Sequence, residues 1–423
     1  MKTAMEHEQW LAVVGGGAAG LTAALYAAKS GAPVTLFERN EICGRKLRIT
    51  GKGRCNLTNH CTREDFFANI PENARFLYSA YSRFSAEDTE ALFESLGVPL
   101  KVERGNRVFP VSDKAADVAN ALGDACRTAG VRTVHARVTE IQKEENGFRV
   151  CCGEQSDRFG AVILATGGAS YPLTGSTGDG YRFARALGHT VTPLFPSLVP
   201  LVEKGDFCAQ CQGLSLRNVR LTVFDTVRKT EIFSDFGELL FTHFGLSGPL
   251  VLSASAHLRE MTPGRYEIRI DLKPALDEKT LDTRLLSDFN KYKNKSFENS
   301  LCDLLPHKLI APMVARSGIN PQKKTNAVTR EERRRFLELL ECLSVPVADF
   351  RPMAEAIVTR GGVSLSEVDP RTMASRLVPG LFFAGELLDL SAYTGGFNLQ
   401  IAFSSAVCAG EAAAAYITCQ SNE

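Results

Sequence analysis

The sequence predicts an α/β chain in which both ends contribute to one parallel sheet and the middle is an insert. Three observations predict it. Residues 11–39 run in the order strand, glycine turn, helix, strand, acid. From about Leu381 the chain again reads as strand, glycine–acid turn, glycine-rich loop and long alanine-rich helix. Between about 195 and 355 the texture changes to short strands punctuated by Pro193, Pro196 and Pro200, then to a charged helical stretch.

The first unit is the most specific. Leu11 to Val14 is a short apolar run that reads as a buried parallel strand, and Gly15, Gly17 and Gly20 after it fit the G-x-G-x-x-G spacing. Gly15 permits the tight turn, Gly17 lets a pyrophosphate approach the backbone, and Gly20 lets the next helix lie close to the strand. That helix, about Ala18 to Ser30, carries Ala19, Ala23, Ala24, Ala27 and Ala28 and so has a slim packing face. Its N-terminus offers free N–H groups and a positive dipole end to phosphates. A second strand, Val34 to Phe37, ends in Glu38, whose carboxylate can accept hydrogen bonds from both hydroxyls of an adenosine ribose.

Further along, an irregular basic loop is expected over Cys43 to Asn59 and a helix around Phe84 to Leu96. Short strands over Val98 to Phe109 turn at Arg104-Gly105-Asn106. A helix over Ala115 to Ala129 precedes a hairpin over Val131 to Val150, turning at Glu145-Asn146-Gly147. A second buried strand, Ala161 to Ala165, ends in Thr166-Gly167-Gly168. The expected organisation is a nucleotide-binding domain from 1–194 and 356–423, a β-rich insert from 195–273 and 341–355, and a helical subdomain over 274–340.

The bulk properties limit the function classes. At 423 residues the chain can bury the cores of two or three domains. A formal net charge of +1 sets up no global field toward nucleic acid or membrane. Met1 to Trp10 is polar, and the first apolar run is interrupted by glycines, so neither a signal peptide nor a membrane span is expected there, and cytoplasmic residence is. The twelve cysteines are scattered through a long chain, unlike a secreted disulfide scaffold. Cys208-Ala-Gln-Cys211 lacks a second pair, so no metal site is expected, though a redox dithiol stays open. Cys151 and Cys152 read as structural. Pro306 to Arg335 carries eight Lys or Arg against two Glu. It reads as a solvated helix face, with an acidic partner such as RNA as the alternative.

Leu381-Phe382-Phe383-Ala384-Gly385-Glu386 is the second informative segment. An apolar strand ending in Gly plus an acid places a carboxylate beside a ribityl chain. Tyr393-Thr394-Gly395-Gly396-Phe397-Asn398 then opens the last helix, and a positive helix end aimed at a flavin's N1/C2=O edge stabilises the anionic reduced ring.

With these motifs go Gly44-Arg45-Lys46, Thr50 through Asn59 with its Gly-Arg-Cys-Asn core, Thr177-Gly178-Asp179-Gly180, Phe241 through Pro249 and Thr359 through Val363. Together they span essentially the whole chain, which resembles the HI0933-like (YhiN-like) family of NAD(P)/FAD-dependent oxidoreductases that includes BaiN-type bile-acid reductases. The resemblance implies a glutathione-reductase-type FAD-binding Rossmann-like domain, discontinuous, with an inserted β-barrel-like domain carrying a small helical domain. It implies that Gly15, Gly17, Ala18, Ala19 and Gly20 hold the pyrophosphate and Glu38 the ribose. Arg39, Arg45, Lys46, Gly51, Gly53, Arg54, Cys55 and Asn56 would lie along the cofactor, with Val138, Ala165, Thr166 and Gly167 also touching it. Gly385 and Glu386 would meet the ribityl or pyrophosphate region, and Gly396, Phe397, Asn398 and Leu399 the isoalloxazine. Glu386 stands where many flavoproteins carry Asp.

The catalytic candidates are fewer. His243 is a proton donor or a turn histidine, Arg360 could bind an acidic substrate group, and Tyr171 and Tyr393 are phenols that donate a proton or simply pack. The expected reaction is NAD(P)H-dependent reduction of an enone-type double bond in a small molecule through FAD. No second glycine fingerprint exists for a nicotinamide dinucleotide, so NADH or NADPH would dock transiently. The alternatives are an FAD-dependent amine oxidase using O2 and an RNA-associated flavoprotein. No membrane partner is expected, nucleic acid is the lesser reading, and the sequence leaves the oligomeric state open.

Overall fold

A computed structural model describes residues 6–420, so the first five and last three residues, at the two ends of the expected nucleotide-binding domain, lie outside the described residues. Strand β1 (Glu6–Val14), helix α1 (Ala18–Lys29) and strand β2 (Val34–Glu38) follow one another as the glycine spacing requires. β1 lies at the centre of a parallel array, with β2 on one side and the strand Gln155–Leu164 on the other. Arg132–His135 extends the array beyond β2, also in parallel. The last strand, Leu381–Phe383, pairs in parallel with Val162 to Leu164. Residues more than 200 positions apart in the chain thus complete one sheet, with strand-to-helix turns at one end, where ligands of open α/β sheets bind.

Two local expectations change. Val131 to Val150 is not a single hairpin: Arg132–His135 joins β2, and only Glu140–Glu144 and Gly147–Cys152 form the hairpin around Glu145 and Asn146. Both arms and the edge strand are short and half-exposed, so the alternation is the same for each. The strand expected from Ala161 begins at Gln155, because its polar first half pairs with Gly147–Cys152.

α1 is buried almost all round, which its alanines allow. The last helix, Phe397–Gln420, crosses it at backbone distance: a Cβ on Gly410 would lie 2.5 Å from the Ala23 carbonyl oxygen. Over Phe397–Cys419 that helix is long and apolar enough to cross a membrane by length and composition, but most of it is buried inside the protein. Its apolarity is that of a core helix enclosed on several sides.

The chain divides into two compact units, one built from residues up to Ser197 and from Met353 onward, the other Leu198–Pro352. In the first, Phe195–Ser197 and Val358–Arg360 pair antiparallel, so the outgoing and returning segments are tied to each other. The second contains a closed antiparallel barrel of Leu201–Glu203, Gly245–Ser247, Thr230–Phe241, Ser215–Asp225, Tyr266–Asp271 and Leu343–Phe350. Helices Glu278–Lys291, His307–Ser317 and Arg330–Glu341 share one apolar core with it, through Leu285, Met313 and Phe336 beside Ile268 and Val345. Asp277 caps the first of these helices, and Thr329 with Glu332 forms a capping box on the third.

Candidate cofactor site

The glycine turn has three different reasons for its three glycines. Gly15 donates its N–H to the Phe37 carbonyl (2.8 Å) and has φ +107°, and a Cβ there would stand 2.5 Å from the Ala165 oxygen. A Cβ on Gly20 would stand 1.7 Å from the Gly15 oxygen. Both glycines exist to let backbone meet backbone. Gly17 is unlike them: its φ is −82°, and a Cβ would meet nothing within 4 Å. It is the N-cap of α1, with no side chain capping the helix, and Ala18 and Ala19 form the first turn. Open space in front of a helix N-terminus without a side-chain cap suits an anion such as phosphate.

Glu38 is buried at the end of β2. Its Oε2 accepts the Gly16 N–H (2.8 Å), and its Oε1 accepts the N–H of Asn40 (2.8 Å) and the Asn40 side-chain amide (2.6 Å). Asn40, which sequence reasoning did not single out, orients the carboxylate and also receives a hydrogen bond from Arg45 (3.1 Å). A cleft of about 500 Å³ opens here, lined by Arg39, Asn40, Glu41, Ile42 and Arg45. Arg39 reaches across to Thr177 and Asp179, at 2.7 and 3.2 Å, tying the loop after β2 to the Thr177–Gly180 segment. Val138 is buried in the chain leading to the hairpin.

Residues 50–56 form a loop of left-handed backbone: Gly51, Lys52, Gly53 and Cys55 all have φ between 57° and 85°. Arg54 is held away from a free-cation role. It pairs with Glu103 and Asp113 and lies 4.2 Å over the Phe109 ring, which anchors the loop to the Leu100–Pro110 hairpin. Cys55 is buried, and burial pushes its thiol up to about 12, so no thiolate forms at neutral pH. Asn56 Oδ1 is buried without a hydrogen-bond partner among the described residues. A buried acceptor left open inside the loop is what an incoming N–H or O–H donor requires.

The C-terminal return is organised by Glu386. Its Oε2 accepts Lys46 Nζ (2.7 Å), and its Oε1 accepts the Ser170 hydroxyl (3.0 Å) and the Thr359 N–H (2.9 Å). Lys46 also donates to Ser170 Oγ (2.7 Å) and stands 5.9 Å from the Tyr171 ring. One carboxylate therefore joins four segments of the first unit. Gly168 has no room for a side chain between Thr359 Oγ1 and Glu386 Oε1. Ala165, Thr166 and Gly167 follow the strand Gln155–Leu164, with Ala165 against Gly15 and Gly167 near Glu386. Gly385 packs on Ala19 and donates its N–H to Ser405 (3.0 Å).

At the start of the last helix, a Cβ on Gly396 would lie 2.3 Å from the Thr58 oxygen. Asn398 turns back on its own loop, accepting the Ala392 N–H (2.9 Å) and donating to the Ala392 oxygen (2.8 Å) and the Tyr393 oxygen (3.2 Å). Phe397 packs on Phe66, and Leu399 is partly buried in the first turn. Gln400, for which no role was expected, is fully buried: it accepts from Thr58 and Thr89 and donates to Phe84 and Ser404. An amide in the first turn of an apolar helix was its sequence signal.

Each catalytic candidate has its own local setting. Arg360 is buried with its guanidinium 4.9 Å over Phe195, and Tyr393 is partly buried with its N–H on the Asn69 oxygen (3.0 Å). His243 is exposed on a barrel turn of the second unit, edge-on to Phe244. Cys208 and Cys211 are buried there, and burial raises both thiols, Cys211 to about 11. Among the described residues no His, Cys, Asp and Glu group is placed to hold a metal ion.

The geometry describes an open, uncapped helix N-terminus and a packed glycine–acid turn beside it. The family profile described as the HI0933-like protein Rossmann domain matches residues 9–412. The chain belongs to the HI0933-like family. It is 31% identical over 412 residues to the 3-dehydro-bile acid delta(4,6)-reductase of Clostridium scindens, covering 96% of this chain and 98% of that one. It is equally 31% identical over 405 residues to the ribosomal RNA dihydrouridine synthase of Escherichia coli, covering 95% and 98%. Among solved structures it resembles the open conformation of a flavocytochrome c3 fumarate reductase, at 18% identity and a TM-score of 0.49, covering 98% of this chain and 79% of that one. This HI0933-like protein is an FAD-dependent oxidoreductase. The residues present fit FAD: the open approach at Gly17 suits the pyrophosphate, Glu38 the ribose, and the unfilled Asn56 acceptor a polar group of the cofactor.

Proposed function

We propose that this protein reduces a carbon–carbon double bond conjugated to a carbonyl, drawing electrons from NADH or NADPH. One observation carries the reading. Two relatives of equal identity over nearly full length are named for unlike molecules, a bile acid and a ribosomal RNA, yet each name denotes reduction of such a bond. Bound FAD would supply the two-electron hydride chemistry that links donor and acceptor. The chain's own residues bind and orient. Gly17 and the first turn of α1 would take the pyrophosphate, Glu38 the ribose, and the Lys46–Glu386 pair would fix the loops on which the ring rests. Arg360, a buried cation on the Val358–Arg360 strand, would meet an acidic or carbonyl group of the acceptor.

The test is anaerobic mixing of the yellow protein with NADH or NADPH, then with a simple cyclic enone. Bleaching by the nicotinamide, followed by return of colour and loss of enone absorbance, supports the reading. Bleaching only by an amine, with peroxide formed on aeration, would replace it with the oxidase alternative. A second reading keeps the chemistry and changes its carrier: the uracil ring contains the same conjugated bond, and the dihydrouridine synthase relative favours a nucleotide acceptor.

A further inference from the structure

Which carrier the enzyme uses is addressed by a surface of the second unit that the cofactor site does not explain. Four of the eight cations of the basic Pro306–Arg335 segment are tied to other parts of the unit. Lys308 donates to the Gln212 oxygen (3.1 Å), Arg316 lies over Phe207, Lys323 pairs with Glu332 (2.7 Å) and Arg333 with Asp282 (2.7 Å). The expected solvated face is present, since Lys308, Arg316, Lys324, Arg330, Arg334 and Arg335 are exposed, while Lys323 and Arg333 are half-buried in ion pairs.

Further exposed cations gather beside Lys324. The segment after helix Glu278–Lys291 reads Lys291-Tyr292-Lys293-Asn294-Lys295. It is held against 323–325 by backbone pairing of Ser296 with Lys324, by Thr325 N–H to the Lys295 oxygen (3.1 Å) and by Phe297 N–H to the Lys323 oxygen (2.8 Å). Lys324 Nζ donates to the Asn294 oxygen (3.0 Å), which carries its charge onto the same edge. Lys293, Lys295 and Lys324 are all exposed. Lys295 Nζ lies 4.3 Å and Lys291 Nζ 4.9 Å from the centre of the Tyr292 ring. Asp303 answers Lys291, at 2.6 Å, and Tyr292, at 2.5 Å.

We infer that this Lys–Tyr edge is a docking surface for RNA. Lysines give sequence-independent attraction to phosphates, and a ring among them offers a stacking face for an unpaired base. An anionic membrane fits less well: among the described residues of 290–326 no large apolar side chain is exposed, and interfacial binding draws on buried apolar area as well as charge. The inference rests on the uridine form of the reading above.

The experiment uses the full-length, FAD-loaded protein and a fluorescein-labelled RNA stem–loop with uridines in its loop. Anisotropy is recorded over a salt series for the wild type and for K293Q/K295Q/K324Q, with FAD content confirmed by absorbance. Binding that weakens with salt, and a variant on the order of tenfold weaker with a log–log salt slope shallower by about two, is the expected result. No RNA binding by wild type, an unchanged slope in the variant, or binding to phosphatidylserine vesicles but not to RNA overturns the inference. RNA binding without reduction of enone or uridine would leave the surface standing and sink the reductase reading. Enone reduction without RNA binding does the reverse.

Discussion

The turn at the start of α1 and the return at the start of the last helix are both rich in glycine, yet they use it for opposite purposes. In the first, Gly17 leaves space with nothing opposite it, and the backbone faces outward. In the second, Gly396 brings backbone onto backbone at Thr58, and side chains of Glu386, Asn398 and Gln400 fill the surroundings with hydrogen bonds. One region leaves open space at a helix N-terminus and the other brings protein segments into close contact. A glycine fingerprint is thus informative at Gly17 through what is missing around it, and at Gly15, Gly20 and Gly396 through what is present.

That contrast breaks most visibly at Gly20. Gly20→Ala would put a methyl 1.7 Å from the Gly15 oxygen, which rigid strand and helix backbones cannot relieve. We expect a loss of about 3 kcal/mol or more, read as insoluble protein or a lowered denaturation midpoint. Gly396→Ala meets the Thr58 oxygen at 2.3 Å and a φ of +101°, and a loss of about 3 kcal/mol is expected there too, independent of FAD. Gly17→Leu is the counter-case. Its backbone is ordinary and its surroundings are open, so folding should change by no more than about 1 kcal/mol, as for an exposed cap. FAD should nonetheless be lost from the purified protein. A yellow Gly17→Leu variant would erase the distinction drawn here.

Lys46 gives a smaller effect that separates the regions again. Lys46 and Glu386 have side chains 22% and 19% exposed, so the pair is partly desolvated. Lys46→Met leaves a carboxylate with two neutral donors and should cost about 1–2 kcal/mol, between surface and buried pairs. The double variant with Glu386→Gln should lose less than the sum of the singles, because the two removals share one interaction. Additive losses would mean that the carboxylate is held by Ser170 and Thr359 alone.

How much of this was legible in the sequence follows from the range of the interactions. The α1 turn was legible because its three glycines lie within six positions and each restricts local backbone. The acid after the last strand was legible as an acid, but its cation was not: Lys46 lies 340 positions away, and nothing in the spacing pairs them. Arg54 shows the converse. A cation in a glycine loop reads as lying along the cofactor, and the sequence does not show that Glu103 and Asp113, folded back by the next hairpin, pair with it. The barrel strand Thr230–Phe241 was visible only from Leu239, since its first half is largely exposed and carries no apolar alternation. Gln400 was printed in plain view, but a buried amide says only that partners exist, not that they are Thr58 and Thr89.

The smallest expected effect concerns pH, and it falls on the return rather than on the turn. His189 is buried edge-on to Phe383 of the last strand, between Glu367 (3.2 Å) and Ser375 (2.8 Å). Burial pulls its imidazole below the ordinary 6.5, with Glu367 opposing only in part. The unfolded chain therefore binds the proton more readily, and stability is full above about pH 6.5 and falls as the pH drops below it. Glu367 acts in the same direction. Burial alone would raise it, but hydrogen bonds from Thr190 and the charge of His189 bring it below its usual value, so its contribution is also lost on acidification. Between about pH 6.5 and 5.5 the wild type should lose stability more steeply than His189→Gln, which lacks the titrating ring. Hydrogen exchange should show the added opening at Leu381–Phe383 before it reaches β1 and α1. Equal acid sensitivity in both variants would assign the pH dependence to other groups and remove the return's claim to be the more labile of the two regions.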